Sequence, residues 1–441
     1  MGKLIVRRFG PIESAEFRLS PLTVFIGPQA SGKSTLSKLA YYFLLVRDEL
    51  AALILDEAGK DRLPTPVGFS HTVEKKLRNR FVEFMGTTPQ RSDLEVSFDY
   101  DGGARLSICL DTVRHKYITP HFDEQTKSKL YSLVQQARDM GHAIGEQSTA
   151  FSALGRIAHD KHAQRMRDMV RSQCRNIFGF ENDLLFIPAG RSLLSVLAPQ
   201  LQTLHPHKLD YGMRQFIETV SLSNSVFEQS MEDLVRSRRV LSEEPIRLRT
   251  VRNAQEWVRG ILKGEFRHDR EGGKLFIADR TFTKMSFASS GQQEVVWILL
   301  SLFLLVLENS RVQVVIEEPE AHLYPQAQHQ LLRFIAYVYR KTGCHFMITT
   351  HSPYILGSLN NLVLAHSAAG AEAHGAIDAV VPKDFWVPRD EVQGFFVADG
   401  TIRSIWDGPS GALRWEFLDS AADEINSEYE RLAEEMRQRG Q

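Results

Sequence analysis

Four short stretches of this 441-residue sequence combine residue types suited to handling phosphate. The first is Gly27-Pro28-Gln29-Ala30-Ser31-Gly32-Lys33-Ser34-Thr35. It fits G-x-x-x-x-G-K-[ST], follows the apolar run Leu22–Ile26 and opens a helical pattern from Lys33 to about Leu55. Glycines let such a loop wrap closely, so that backbone N–H groups and a helix N-terminus hold phosphate oxygens. Lys33 would reach the β- and γ-phosphates of a nucleoside triphosphate, and Ser34 would place its hydroxyl on Mg²⁺. The second stretch is Val314-Val315-Ile316-Glu317-Glu318-Pro319, a buried strand delivering two carboxylates at its tip. Glu317 suits the Mg²⁺ shell and Glu318 suits a base that positions and deprotonates attacking water.

The third stretch, Ser289-Ser290-Gly291-Gln292, precedes a long apolar helix and offers a hydroxyl and a helix N-terminus as a second phosphate surface. Its ordinary alternative is a serine N-cap followed by a glycine turn. The fourth, Thr349-Thr350-His351-Ser352-Pro353, places His351 after another buried strand, where it could hydrogen-bond a γ-phosphate or simply be a surface histidine.

Around these stretches the chain alternates strands and helices. Strands are expected at Leu4–Arg7, Ala15–Leu19, Leu22–Ile26, Leu184–Pro188, Val312–Ile316 and His345–Thr349. Alternating apolar residues about Asp101-Gly102-Gly103, and again about Asp399-Gly400, predict two hairpins. Pro64 and Pro66 lie in an expected exposed stretch, and residues 124–178 and 191–263 read as mostly helical. Short strands are expected at Lys274–Ala278 and Thr281–Phe287, and a charged helix from about Ala421 to Met436.

In order and spacing, the four stretches together resemble the ABC-type ATPase heads of transporters, SMC proteins, RecF and the OLD-family nucleases. By that resemblance, Gly27–Thr35 is the Walker A loop binding ATP, and Glu317 (metal, with Ser34) and Glu318 (catalytic) form Walker B. Ser289, Gly291 and Gln292 match the signature motif, Ala321–Tyr324 the D-loop, and His351 the switch histidine. The wording EEPEAHLYP and TTHSP, with FIPAGRS upstream, is similar to the OLD/RecF-like branch. Where such heads carry a Q-loop glutamine, this chain has Ala189-Gly190-Arg191-Ser192, which leaves Arg191 or Ser192 to take the sensing role.

The resemblance implies an α/β fold: a mixed sheet with an antiparallel lobe and a large helical insertion. Its expected parts are the head at 1–111, the insertion at 112–265, the rest of the head at 266–365, and a hairpin and helix at 366–441. It also implies a homo-oligomer built from head-to-tail dimers. The residues after about 365 contain no Asp-x-Asp, so no TOPRIM nuclease is expected in the chain. That makes it similar to the stand-alone ATPase subunits of two-component anti-phage systems, such as PtuA of Septu and AriA of PARIS, in which a separate effector carries the nuclease. A RecF/SMC-like DNA-repair ATPase is the other reading.

Composition bears on location and partners. The formal net charge is -1, so any nucleic-acid surface must be local. Residues 236–270 hold ten Lys/Arg against five Asp/Glu, a stretch that would serve as a DNA or RNA contact or as a solvated helix face. Three scattered cysteines fit a reducing compartment. The longest apolar run, Val295–Leu307, falls short of the roughly 20 residues a membrane span needs, so a cytoplasmic protein without membrane contact is expected.

Overall fold

The computed structural model describes the chain except residues 1, 87–92, 112–116, 148–152, 198–208, 242–246, 279–280, 370–373, 409–410, 412, 415–425, 433, 435–436 and 438–441. Much of the expected Ala421–Met436 helix therefore lies outside the described residues, with helix present at 426–432.

The strands are β1 (Lys3–Phe9), β2 (Ile12–Arg18), β3 (Leu22–Ile26), β4 (Glu95–Asp99), β5 (Arg105–Asp111), β6 (Tyr117–Phe122) and β7 (Asp183–Ile187). After them come β8 (Glu265–Asp269), β9 (Gly272–Ala278), β10 (Thr281–Lys284), β11 (Val312–Glu317), β12 (His345–Thr350), β13 (Val392–Ala398) and β14 (Thr401–Ser404). Between and around them lie helices α1 (Lys33–Ala58), α2 (Pro66–Met85), α3 (Glu124–Gln147), α4 (Ala153–Phe178), α5 (Ser192–Leu197) and α6 (Tyr211–Val226). The remaining helices are α7 (Met231–Leu241), α8 (Leu248–Leu262), α9 (Ser290–Glu308), α10 (Pro325–Thr342), α11 (Pro353–Ala368) and α12 (His374–Val380).

Eleven strands form one mixed sheet in the order β6-β5-β4-β1-β2-β14-β13-β3-β12-β11-β7, and β8, β9 and β10 form a small antiparallel sheet. One half of the large sheet is parallel: β13, β3, β12, β11 and β7 run side by side. Parallel strands covered by helices on both faces are mostly apolar. β11 shows this and also the period of two that sorts side chains between faces. Val312, Val314 and Ile316 join the core that includes α8, α9 and α10, whereas Val315 joins the core built on α1. Phe25 of β3 and Met347 of β12 lie on Val315's side, so the two cores sandwich one sheet.

The register brings the C-terminal tips of these strands to one edge. Thr350 pairs with Ile26, Glu317 with Thr349, and Ile316 with Ile187. The loops carrying Gly27–Thr35, Glu318 and His351 leave from that edge, the place where open α/β sheets bind ligands.

Three elements differ from the sequence expectation. The Pro64–Pro66 region is the start of a helix: Pro66 takes the first position of α2, where its missing N–H costs nothing, and Thr65 caps it by accepting from Gly68 N. The Asp399-Gly400 hairpin forms, but β13 inserts into the middle of the sheet as the parallel neighbour of β3. Thr281–Phe287 is strand only to Lys284, after which Met285–Phe287 makes a single 3-10 turn. Within 112–265, β6 and β7 pair into the main sheet, so the helices between them are excursions from that sheet.

Helix α9 is the one described helix long and apolar enough to cross a membrane. Its apolarity is explained by packing: Val295 to Leu300, Leu302, Phe303 and Leu305 to Leu307 are all buried.

Candidate active site

The loop after β3 is shaped by close contact. Gly27 has φ 156°, and a Cβ there would stand 2.1 Å from the carbonyl oxygen of Val397 on β13, so only glycine fits. Gly32, at φ 102°, caps α1 with no side-chain hydrogen bond to its first N–H groups, and Ala30 also has positive φ. The first turn of α1 therefore keeps donors for an anion. Lys33 folds back over the loop, donating to Gly27 O at 2.9 Å and Pro28 O at 2.6 Å, with Ser31 Oγ at 3.5 Å. Burial lowers its pKa to about 8, against the opposing charges of Glu318 and Glu320. Pro28, Gln29, Ala30 and Ser34 are exposed, and Thr35 is half-buried.

Glu317 follows Val315 in the strand alternation and so faces α1. It is buried, which raises its pKa; the charge of Lys38, the Ser34 hydroxyl and the Ala189 backbone oppose the rise. Its Oε1 is buried without a hydrogen-bond partner, a costly state unless something binds there. Mg²⁺ typically takes one or two protein oxygens together with phosphates and water. The Ser34 hydroxyl and the Glu317 carboxylate fit that need. Among the described residues no group of three or more His, Cys, Asp or Glu gathers for a metal, and an ion held mostly by phosphate needs none.

Glu318 leaves the strand pattern, with φ 44°, a left-handed conformation that costs a non-glycine residue about 1 kcal/mol. Its N–H donates to Thr349 O at 2.9 Å. The conformation turns its carboxylate to His351, whose Nε2 lies 2.9 Å from Oε1, while His351 Nδ1 lies 3.1 Å from Gly27 O. The loop, the second acid and the histidine thus converge, and both side chains of the pair remain about one-third exposed.

Two further residues shape this group, one of them, Glu320, given no role in the sequence. Glu320 accepts from Thr350 Oγ1 at 2.7 Å and from the His351 backbone N–H at 2.6 Å, fixing the histidine's loop, and its Oε2 is buried without a partner. Its signal was a third acid just past Pro319. Arg191 is the other. Expected as a candidate sensor, it is instead fully buried. Its Nη1 donates to Pro188 O at 2.6 Å and Glu317 O at 2.7 Å, its Nη2 to Glu318 O at 2.9 Å, and its Nε to Glu294 O at 3.0 Å. The Glu294 carboxylate lies 3.3 Å from Nε and also accepts from the backbone N–H of Arg191 and of Ser192. Burial lowers the Arg191 pKa, with Glu294 the chief opposing charge. Removing one partner of such a buried pair costs about 3–5 kcal/mol. Four backbone carbonyls occupy this guanidinium, which is why it does not face the phosphate loop.

Ser289 is the N-cap of α9 in a capping box: its hydroxyl accepts from Gln292 N–H, and the Gln292 side chain reaches back to Ser289 N–H. Gln292 also donates to Leu262 O at 3.0 Å, at the end of α8. A Cβ on Gly291 would stand 2.7 Å from His322 O, so glycine lets the loop after Pro319 lie against α9. Among the described residues no hydrogen bond or ion pair joins 289–292 to 27–35. The structure brings Lys33, Glu317, Glu318 and His351 together and leaves Ser289, exposed, outside that group.

A glycine-wrapped loop at a helix N-terminus, with paired acids and a histidine at adjacent parallel strand tips, defines a P-loop ATPase domain. The chain belongs to the family described as "AAA domain, putative AbiEii toxin, Type IV TA system", which matches residues 22–357. No curated protein matches it. Among solved structures it is similar to an SMC head bound to the C-terminal winged-helix domain of ScpA, at 12% identity, covering 91% of this chain and 96% of that one, with a TM-score of 0.41. It is also similar to the SMC head domain from Thermotoga maritima, at 12% identity, 91% and 97% coverage and a TM-score of 0.36. A third is an SMC head with an extended coiled coil bound to a ScpA domain derived from Pyrococcus furiosus, at 12% identity, 96% and 98% coverage and a TM-score of 0.39.

Proposed function

We propose that the chain binds ATP with Mg²⁺ and hydrolyses it as an ABC-type head, acting as a switch that controls a separate effector, a nuclease, in bacterial anti-phage defence. The observation that carries the enzymatic reading is that Lys33 and His351 both meet Gly27 O while His351 also meets the Glu318 carboxylate. In it, the loop and the α1 N-terminus bind the phosphates, and Lys33 exchanges its loop carbonyls for phosphate oxygens. Glu318, held against His351, accepts a proton from the attacking water. Ser34 and Glu317 would hold Mg²⁺, which when bound would supply charge neutralisation at the phosphates.

Ser289, Gly291 and Gln292 stand away from this pocket, which supports a second copy of the chain supplying them in a head-to-tail dimer. Phe287, Tyr324 and Tyr354, which adjoin the signature, the D-loop and the switch histidine in sequence, are 79%, 77% and 53% exposed, as a surface awaiting a second copy would be. The toxin–antitoxin wording of the family description supports a defence setting, and a cytoplasmic location is part of the same proposal. The direct test is phosphate release from ATP by the purified chain with Mg²⁺, abolished in Lys33→Ala; no release at any protein concentration would overturn the hydrolytic reading.

A second reading, a RecF/SMC-like DNA-binding ATPase, is favoured by one feature. Arg249, Arg252, Arg259 and Lys263 are exposed along and just past α8. Salt-sensitive, ATP-dependent DNA binding by the chain alone would support it.

A further inference from the structure

Glu318 has the geometry of a residue under constraint. Its φ and ψ are rotations between two peptide units, those carrying the Glu317 and Glu318 carbonyls. One guanidinium holds both oxygens, Glu317 O through Nη1 at 2.7 Å and Glu318 O through Nη2 at 2.9 Å. Because the guanidinium is planar and rigid, gripping both carbonyls fixes the angle between the two peptide units and hence the left-handed conformation at Glu318. The guanidinium is itself immobilised, since Nη1 also donates to Pro188 O, and Nε faces both the carbonyl and the carboxylate of Glu294. Glu294 lies in the first turns of α9, five residues past Ser289.

We propose that Arg191 is the positioning residue that holds Glu318 in its left-handed conformation and aims its carboxylate, and that α9 sets this aim through Glu294. The inference rests on the reading of Glu318 as the base for ATP hydrolysis. It adds that the tip of α9, which carries the signature residues, is mechanically joined to that base within one protomer. A displacement of α9 carries Glu294 and Arg191 with it and rotates the Glu318 carboxylate. A lysine at 191 would bring a compact ammonium whose three donors turn on a flexible stem and do not form a rigid plane, leaving Glu318 free to relax toward ordinary backbone angles. Among the described residues no hydrogen bond or ion pair joins Arg191 to the nucleotide-binding loop, so ATP affinity is spared.

The test compares the full-length parent with Arg191→Lys, Glu294→Gln and the double variant, with turnover expressed per ATP-binding site titrated in the same sample. Expected are an ATP Kd within about twofold of the parent and a turnover at least about tenfold lower, the scale on which misplacing a catalytic group acts. The double variant should be no slower than the slower single variant, because the two residues act as one unit. If Arg191→Lys fails to fold, Glu294→Gln carries the same expectation. Parental turnover per site combined with a lowered melting temperature would reduce Arg191 to a structural residue and overturn the proposal. So would losses in the two single variants that multiply in the double. Glu318→Gln separates the two layers: if it hydrolyses ATP at the parental rate, the base assignment falls and the Arg191 proposal with it. A slow Glu318→Gln beside a fast Arg191→Lys overturns the positioning role alone.

Discussion

The His351 imidazole bridges the two halves of the candidate site, with Nε2 2.9 Å from Glu318 Oε1 and Nδ1 3.1 Å from Gly27 O. It touches the start of the phosphate loop and the proposed base at once, from the tip of a strand, β12, that lies between the two strands carrying them. Glu320 holds the histidine's own backbone N–H, so its loop is anchored to the acid-bearing turn.

From that arrangement, Glu318→Gln should keep ATP bound and slow hydrolysis by at least about 100-fold, within the range for loss of a general base. His351→Ala should lower turnover about 10-fold or more with a smaller change in Kd, because the glutamate loses its partner and the loop keeps its lysine. Steady-state ATPase rates and binding of a fluorescent ATP analogue check both. A Glu318→Gln protein turning over at the parental rate would show that another group activates the water.

Lys33 gives the nucleotide affinity a pH dependence of definite sign. Burial lowers its pKa to about 8 in the free protein, and bound phosphates favour the ammonium form. Affinity is therefore full below that value and weakens as pH rises through it, because binding must then take up a proton. From pH 7 to 9 the Kd should rise about tenfold, the factor expected for a pKa near 8 when only the charged form binds. Lys33→Arg stays charged across this range and should flatten the profile, while Lys33→Ala should lose most affinity at every pH. A flat wild-type profile would mean that Lys33 is not the titrating group.

The nucleotide loop, both strand-tip acids and His351 were legible because each is a local pattern: an apolar run followed at once by a particular set of residues. The environments of Arg191 and Glu320 were not: apart from Pro188, the partners of Arg191 lie 103 to 127 residues away, and those of Glu320 lie 30 to 31 away. The missed α2 shows a different limit. Pro64 and Pro66 read only as part of an exposed stretch, although Pro66 sits at the one helical position where proline is preferred. The insertion of β13 beside β3 was equally hidden, because a hairpin motif states how two strands pair and nothing about their outer neighbours.

That insertion makes Gly27 a structural as well as a functional residue. Gly27→Ala would push a Cβ to within 2.1 Å of Val397 O, a backbone atom of a central strand, at a φ of 156° that L-residues rarely adopt. Strain and overpacking of this kind each cost about 1–3 kcal/mol. The variant should unfold at lower urea concentration than the parent and bind ATP more weakly, because separating β13 from β3 loosens the loop. Gly86→Ala is the control for a general glycine effect: its φ is also positive, at 79°, and among the described residues beyond its chain neighbours no atom lies within 4 Å of the added carbon. Equal destabilisation of the two variants would argue that the Val397 contact is unimportant.

The last prediction concerns whether one chain suffices. Ser289 and Gln292 are committed to capping α9 and to the Leu262 carbonyl, and they make no hydrogen bond to the phosphate loop of their own protomer. If the signature residues act on ATP, they must act on another protomer's ATP, and a two-fold dimer would create two such shared sites. Lys33→Ala removes one side of the site and Ser289→Arg blocks the other, so each variant alone should be inactive. When they are mixed, half the protomers of a random population meet the opposite variant. Each mixed dimer then contains one site with both sides intact and one with neither. Activity should therefore return to as much as about one quarter of the parent, if a single intact site turns over independently. Ser289→Arg must first be shown to bind ATP like the parent, since its own loop is untouched. Mixed dimers demonstrated by differential tagging that remain inactive would count against shared sites, and full activity of Ser289→Arg alone would remove the signature residues from the mechanism.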